Sequence, residues 1–148
     1  MGKLKEKFYL EAQNEYLKRL QRFCEISITE IPEVLLPNNP NQNDITKALD
    51  KEYNSILPNL KGFIYVCDPR GKQLDSVEFS NKIIKEFNSF DTITFVIGSS
   101  YGLSEKIKGN NNLISFSKMT FPHHLMRVIL FEQLYRAFCI KNNITYHK

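Results

Sequence analysis

The chain has 148 residues, 42% of them hydrophobic and 24% charged, with a net charge of +4 and a pI near 8.9. That is enough chain for a single domain with a substantial core, and the basic balance mildly favours an anionic partner such as RNA. No apolar run approaches the roughly 20 residues of a membrane-spanning helix, and the opening MGKLKEKFYLEAQ has neither an apolar h-region nor a small-residue cleavage site, so no membrane contact and a cytoplasmic location are expected.

Cys24, Cys67 and Cys139 are scattered and form no C-x-x-C arrangement, so they read as small buried residues in a reducing compartment. His123 and His124 are adjacent and His147 is near the terminus; no metal site is expected from them.

In chain order, Phe8, Ala12, Tyr16, Leu20 and Phe23 recur at spacings of three and four and predict an amphipathic helix over 4–23. Ile26, Ile28 and Ile31 alternate as a short strand stopped by Pro32. The Pro- and Asn-rich stretch up to Asn43 reads as a loop. Asp44 is placed to cap a helix that Pro58 ends. Phe63 to Cys67 (FIYVC) is an unbroken apolar run, the pattern of a strand buried on both faces, and DPRGK turns the chain after it. A helix follows over 76–87, then a second buried-type strand, Thr92 to Ile97, running into Gly98-Ser99-Ser100-Tyr101-Gly102. A brief helix, a strand near 113–115 and the loop FSKMTF lead to a last helix with Pro122 at its first position, ending near Lys141. Strands alternating with helices imply an α/β fold with a mostly parallel sheet, in one domain spanning 1–148.

Ligands of open parallel sheets sit beyond the carboxyl ends of the strands. Three loops qualify: 68–72, 98–102 and 116–121. The glycine spacing is not G-x-G-x-x-G, which disfavours a dinucleotide. The last helix is apolar nearly all round, including Leu125, Ile129, Phe131 and Leu134, so it is either a central core helix or one shared between the core and a second subunit. Arg127 and Arg136 interrupt it and need a carboxylate, a phosphate or solvent. The chain ends Tyr146-His147-Lys148; composition alone reads as a disordered tail, although an aromatic, an imidazole and a cation also suit RNA.

The stretch ISFSKMTFPHHLMRVILFEQLYRAFCI with a terminal YHK, together with FVIG-SSYGLSEKIK, DPRGKQLDSVEF and GKLKEKF, resembles the large-subunit ribosomal RNA (pseudouridine-N3) methyltransferase H family of the SPOUT superfamily. The resemblance covers almost the whole chain. It implies a parallel sheet flanked by helices, a C-terminal trefoil knot and a homodimer. It further implies S-adenosylmethionine as cofactor and methylation of N3 of a pseudouridine in large-subunit rRNA on the assembled ribosome. Carried over by position, the cofactor contacts fall on Cys67, Gly98, Phe116, Ser117, Lys118, Met119, Thr120 and Phe121. The RNA-facing and catalytic positions fall on Arg136, Tyr146, His147 and Lys148, with Tyr146 for positioning and His147 for proton handling or hydrogen bonding.

The chain departs from the family's pattern in three places. Ser99 stands where members usually carry a second glycine, and Cys67 where they carry leucine. Members also begin with an apolar strand before the Gly-Lys segment, whereas here Gly2 follows Met1, so a sheet short of that first strand is expected. The rival to an active enzyme is a non-catalytic RNA- or ribosome-binding relative, shortened at its N-terminus.

Overall fold

The structure, a computed structural model, describes residues 6–109 and 111–148. Residues 1–5, where the missing first strand was expected, lie outside them.

Three parallel strands form a sheet in the order β2-β1-β3, with β1 at Phe63–Gln73, β2 at Ile93–Ile97 and β3 at Asn112–Ser115. Among the described residues the α-helices are α1 (Lys7–Leu20), α2 (Gln42–Ile56), α3 (Ser76–Ser89), the short α4 (Glu105–Lys108) and α5 (His123–Lys141). The parallel sheet flanked by helices is the architecture that the alternating pattern predicts.

Neighbouring residues of the central strand serve opposite faces, as strand geometry requires. Val66 packs with Ile56 of α2, Val96 of β2, and Leu103 and Ile107 at α4. Tyr65 packs on the other side with Phe79 and Ile83 of α3, Ile114 of β3, and Leu130 and Ala137 of α5. A third cluster lies outside that layer, where Leu20 of α1 meets Phe131, Tyr135, Phe138 and Cys139 of α5. Helix α5 is therefore covered on two sides, which is why no single apolar stripe is visible in its sequence. Each fully buried large side chain here contributes about 1.5–3 kcal/mol.

Helix starts follow capping chemistry. Asn41, not Asp44, caps α2; Asp44 sits three residues on and completes a reciprocal capping box. Asp75 and Glu78 do the same for α3. Pro122 is the N-cap of α5 and not its first helical residue.

Several expectations need correction. Ile26 to Ile31 is not a strand: among the described residues it has no ladder partner, and Ile26 and Ile31 are instead drawn onto two different core clusters. Phe8 is 62% exposed and not part of the core. DPRGK does not end β1. The strand runs on to Gln73, but both Cys67 and Lys72 pair with Ile114, so residues 68–71 bulge out of the ladder. The bulge needs Gly71, because a Cβ there would lie 2.5 Å from the backbone nitrogen of Ile114.

Candidate active site

Beyond the carboxyl ends of the strands the three expected loops meet in one cleft. Cys67, Asp68 and Pro69 come from β1 and its bulge, Gly98 to Ser100 and Gly102 follow β2, and Phe116, Ser117, Met119, Thr120 and Phe121 follow β3. His123 and Met126, on the first turn of α5, close the wall. Seven of the eight expected cofactor positions are thus brought together. The exception is the Lys118 side chain, which is exposed and lines no wall.

Each loop is held by a local device. Ser99 and Gly102 exchange backbone hydrogen bonds of 3.1 and 2.9 Å, and Gly102 has φ +88°. A Cβ on Gly98 would lie 2.5 Å from the Gly102 carbonyl oxygen and 2.9 Å from Leu103, so only glycine fits the start of this turn. In the third loop Ser115 Oγ donates to the Ser117 carbonyl at 2.8 Å, and Ser117 Oγ accepts from the Met119 amide at 2.9 Å. The Phe116 ring packs edge-on against Phe79.

The charges around the cleft are fixed by pairing. Asp68, 7% exposed, accepts from the Arg70 amide at 2.9 Å and pairs with Lys108 at 2.8 Å. Burial alone would raise its carboxyl; Lys108 and the Arg70 amide outweigh that and hold it below the usual carboxylate range. Cys67 goes the other way: burial pushes its thiol up to about 12, so it is neutral and no nucleophile at physiological pH.

The family model described as "Predicted SPOUT methyltransferase" matches residues 1–147. The chain is 45% identical over 152 residues to the ribosomal RNA large subunit methyltransferase H of Clostridium botulinum, covering 100% of this chain and 96% of that one. It is 43% identical to the protein of that name from Clostridium tetani, with the same coverage. It is 45% identical to the one from Caldicellulosiruptor bescii over 151 residues, 100% of this chain and 96% of that one. The chain belongs to the ribosomal RNA large subunit methyltransferase H family.

Membership in that family gives the two departures inside the cleft a physical reading. The Ser99 hydroxyl donates to Glu52 at 3.2 Å. Glu52 is itself 4% exposed and also accepts from the Val34 amide at 2.9 Å. The extra side chain therefore has a built partner in place of bare glycine. The Cys67 side chain is partly buried at the floor, flanked by Ile97 and Ile114 on the neighbouring strands.

The tail is ordered, contrary to what its composition suggests, because helix α5 ends in a turn that reverses the chain. Asn143 takes a left-handed φ of 52° and the Ile144 amide reaches back to the Cys139 carbonyl at 2.9 Å, a Schellman-type ending. Tyr146 then donates to Glu132 at 3.0 Å and packs edge-on against Tyr135, with ring centroids 4.8 Å apart. Burial first, then its hydrogen bonds with Tyr16 and Glu132, hold the Tyr146 hydroxyl well above the usual tyrosine range. Arg136 pairs with Glu132, lies 4.8 Å over the Tyr146 ring and reaches His147 Nδ1 at 3.3 Å. His147 and Lys148 are exposed.

Sequence reasoning did not find the arginines that join this group. Arg19 and Arg22 of the α1 region lie 5.6 and 5.8 Å over the Tyr135 ring. Nor did it give a role to Asp68 or His123, although both lie inside the segments that carry the resemblance, or to Glu52, which lies in none of them.

Within one chain the tail packs on the second half of α5, while His123 stands on its first turn. At 1.5 Å per helical residue, Glu132 and Arg136 lie about 14 and 20 Å along α5 from His123.

Proposed function

We propose that the chain methylates N3 of a pseudouridine in large-subunit ribosomal RNA, on the assembled ribosome, with S-adenosylmethionine as donor. The observation that carries this reading is the convergence of the three strand-end loops on one cleft, one of whose walls is a turn that only glycine at position 98 allows. Apolar groups (Ile97, Phe116, Met119, Phe121, Met126) and polar ones (Asp68, Ser117, Thr120) line it together, which suits a ligand with an aromatic base, hydroxyls and a cationic centre. When bound, the sulfonium supplies an already activated methyl group. What remains for the protein is to hold the acceptor nitrogen in line, exclude water and dispose of a proton.

In this reading Cys67, Gly98, Phe116, Ser117, Met119, Thr120 and Phe121 hold the cofactor, Lys118 through its main chain. The loops at 98–102 and 116–121 belong to the family's trefoil knot. Arg136, Tyr146, His147 and Lys148 face RNA. Because one chain keeps this tail well away from its own cleft, the enzyme works as a homodimer in which the tail of one copy meets the cleft of the other. It acts in the cytoplasm and needs no metal. The intact cleft favours this over a non-catalytic ribosome-binding relative, which would be under no constraint to keep it.

Calorimetry with S-adenosylmethionine tests the cleft. Saturable binding is expected, weakened about tenfold or more by Gly98→Ala, whose Cβ must displace Gly102. A folded wild-type sample that does not bind the cofactor at millimolar concentration contradicts the reading.

A further inference from the structure

We propose that His123 is the catalytic residue that accepts the proton lost by the target base, with Glu33 as a positioning residue beside it. The proposal rests on the methyltransfer reading above and names a group which that reading leaves open.

Of the side chains lining the cleft, few have the chemistry for this role. The Cys67 thiol is held in its neutral form by burial. Asp68 is committed to Lys108 and to the Arg70 amide and side chain, which makes it a poor base. Serine and threonine hydroxyls do not accept protons at neutral pH. His123 does, and it stands on the first turn of α5 immediately after the 116–121 loop, its side chain 23% exposed. His147 is differently engaged: a guanidinium can only donate, so its Nδ1 accepts from Arg136 at 3.3 Å.

The surroundings of His123 fit a proton acceptor. Glu33 Oε1 lies 3.8 Å from Nε2, too long for a hydrogen bond but close enough to stabilise an imidazolium when one forms. The segment carrying Glu33 is tied down on both sides of the cleft. Glu33 meets His123 on one wall, and Val34 reaches Ser99 on the other through the buried carboxylate of Glu52. Glu30 anchors the same segment to Arg127 of α5 at 2.9 Å.

Among the described residues, the other titratable or charged neighbours include His124, whose ring centroid is 4.0 Å away and whose Nδ1 meets Glu6, Arg127 one helical turn on, and Asp68 across the cleft. Burial first, then His124, keep the imidazole below the usual histidine value while Glu33 pulls the other way. It is therefore neutral and ready at physiological pH.

The step balances. The acceptor nitrogen forms its bond to the methyl carbon as the carbon–sulfur bond of the sulfonium donor breaks, and that electron pair stays on sulfur as a neutral thioether. The N–H electron pair stays on nitrogen, its proton passes to a ring nitrogen of His123, and the positive charge moves from donor to imidazolium, beside Glu33.

Two readouts on the full-length protein test this. One is the titration of the His123 ring by NMR without cofactor. The other is the pH profile of single-turnover methyl transfer to intact ribosomes lacking the modification. A base is competent only when neutral, so the rate should be full above the His123 pKa and fall as pH drops through it, below about 6.5. Glu33→Gln removes the carboxylate that raises this pKa, so ring titration and rate profile should move down together. His123→Gln should lower the rate about a hundredfold, flatten the acid limb and leave cofactor affinity within a few-fold. His123→Gln at full rate, or a rate profile that stays put while the Glu33→Gln ring titration moves, overturns the proposal. If His123→Gln fails to fold, the Glu33→Gln comparison decides. A wild-type protein that methylates no ribosome overturns the functional reading itself, and this assignment with it.

Discussion

Asp68 is a carboxylate 7% exposed on the wall of the cleft, and its charge is tolerable there only because Lys108 and Arg70 answer it. Lys108→Met removes the better-buried partner and should cost about 1–3 kcal/mol, less than a fully orphaned buried charge because Arg70 remains. The sign of its pH dependence follows from the lowered Asp68 carboxyl. The pair's contribution is complete above the unfolded carboxyl value of about 4 and is lost as pH falls through the lower folded value. Denaturant unfolding at neutral and acid pH should therefore show the two proteins converging in acid; a gap that persists or widens there assigns the loss to packing. Nothing around Asp68 in the sequence announces this role. Its partner lies forty residues on, in a helix of one turn, and such a pairing becomes visible only once the bulge of residues 68–71 is folded.

At the scale of elements, what sequence periodicity could report was fixed by what each element faces. FIYVC and TITFVI are read as buried strands because both faces of their sheet are covered. Ile26 to Ile31 alternates as a half-buried strand would, yet has no ladder among the described residues, since an alternating pattern records which side chains are buried and not which backbone groups are paired. Proline and glycine in DPRGK signal a turn, yet here they shape a bulge inside a continuing strand.

Helix α5 shows what its all-round apolarity left open. Leu134 packs against two core clusters of its own chain, whereas Leu125, Val128 and Ile129 are half-buried and belong to none. In the homodimer proposed above, these three form the surface for the second copy. Ile129→Glu should shift the protein towards monomer in light scattering while keeping a cooperative unfolding transition, and Leu134→Glu should damage the fold instead. A dimer that survives Ile129→Glu places the interface elsewhere.

For the molecule as a whole, the cleft was legible and the chemistry around it only partly so. Loops at strand ends, a glycine where the backbone must approach and the FSKMTF segment are local signals, and the fold gathers them where open parallel sheets bind ligands. The ordered tail was not legible, because it depends on a left-handed Asn143 and on Glu132 accepting from Tyr146. That the tail packs on the second half of α5, away from His123 on its first turn, emerges only from the folded chain, and the proposed two-copy enzyme is built on it. The direct measurement of methyl transfer to one nucleotide is mass-spectrometric mapping of large-subunit rRNA from cells that contain this protein as their sole candidate methyltransferase for that site, against cells without it. A single N3-methylated pseudouridine is expected, present only in the first. Identical, unmethylated rRNA in both, with the protein folded and bound to ribosomes, would contradict the proposed function.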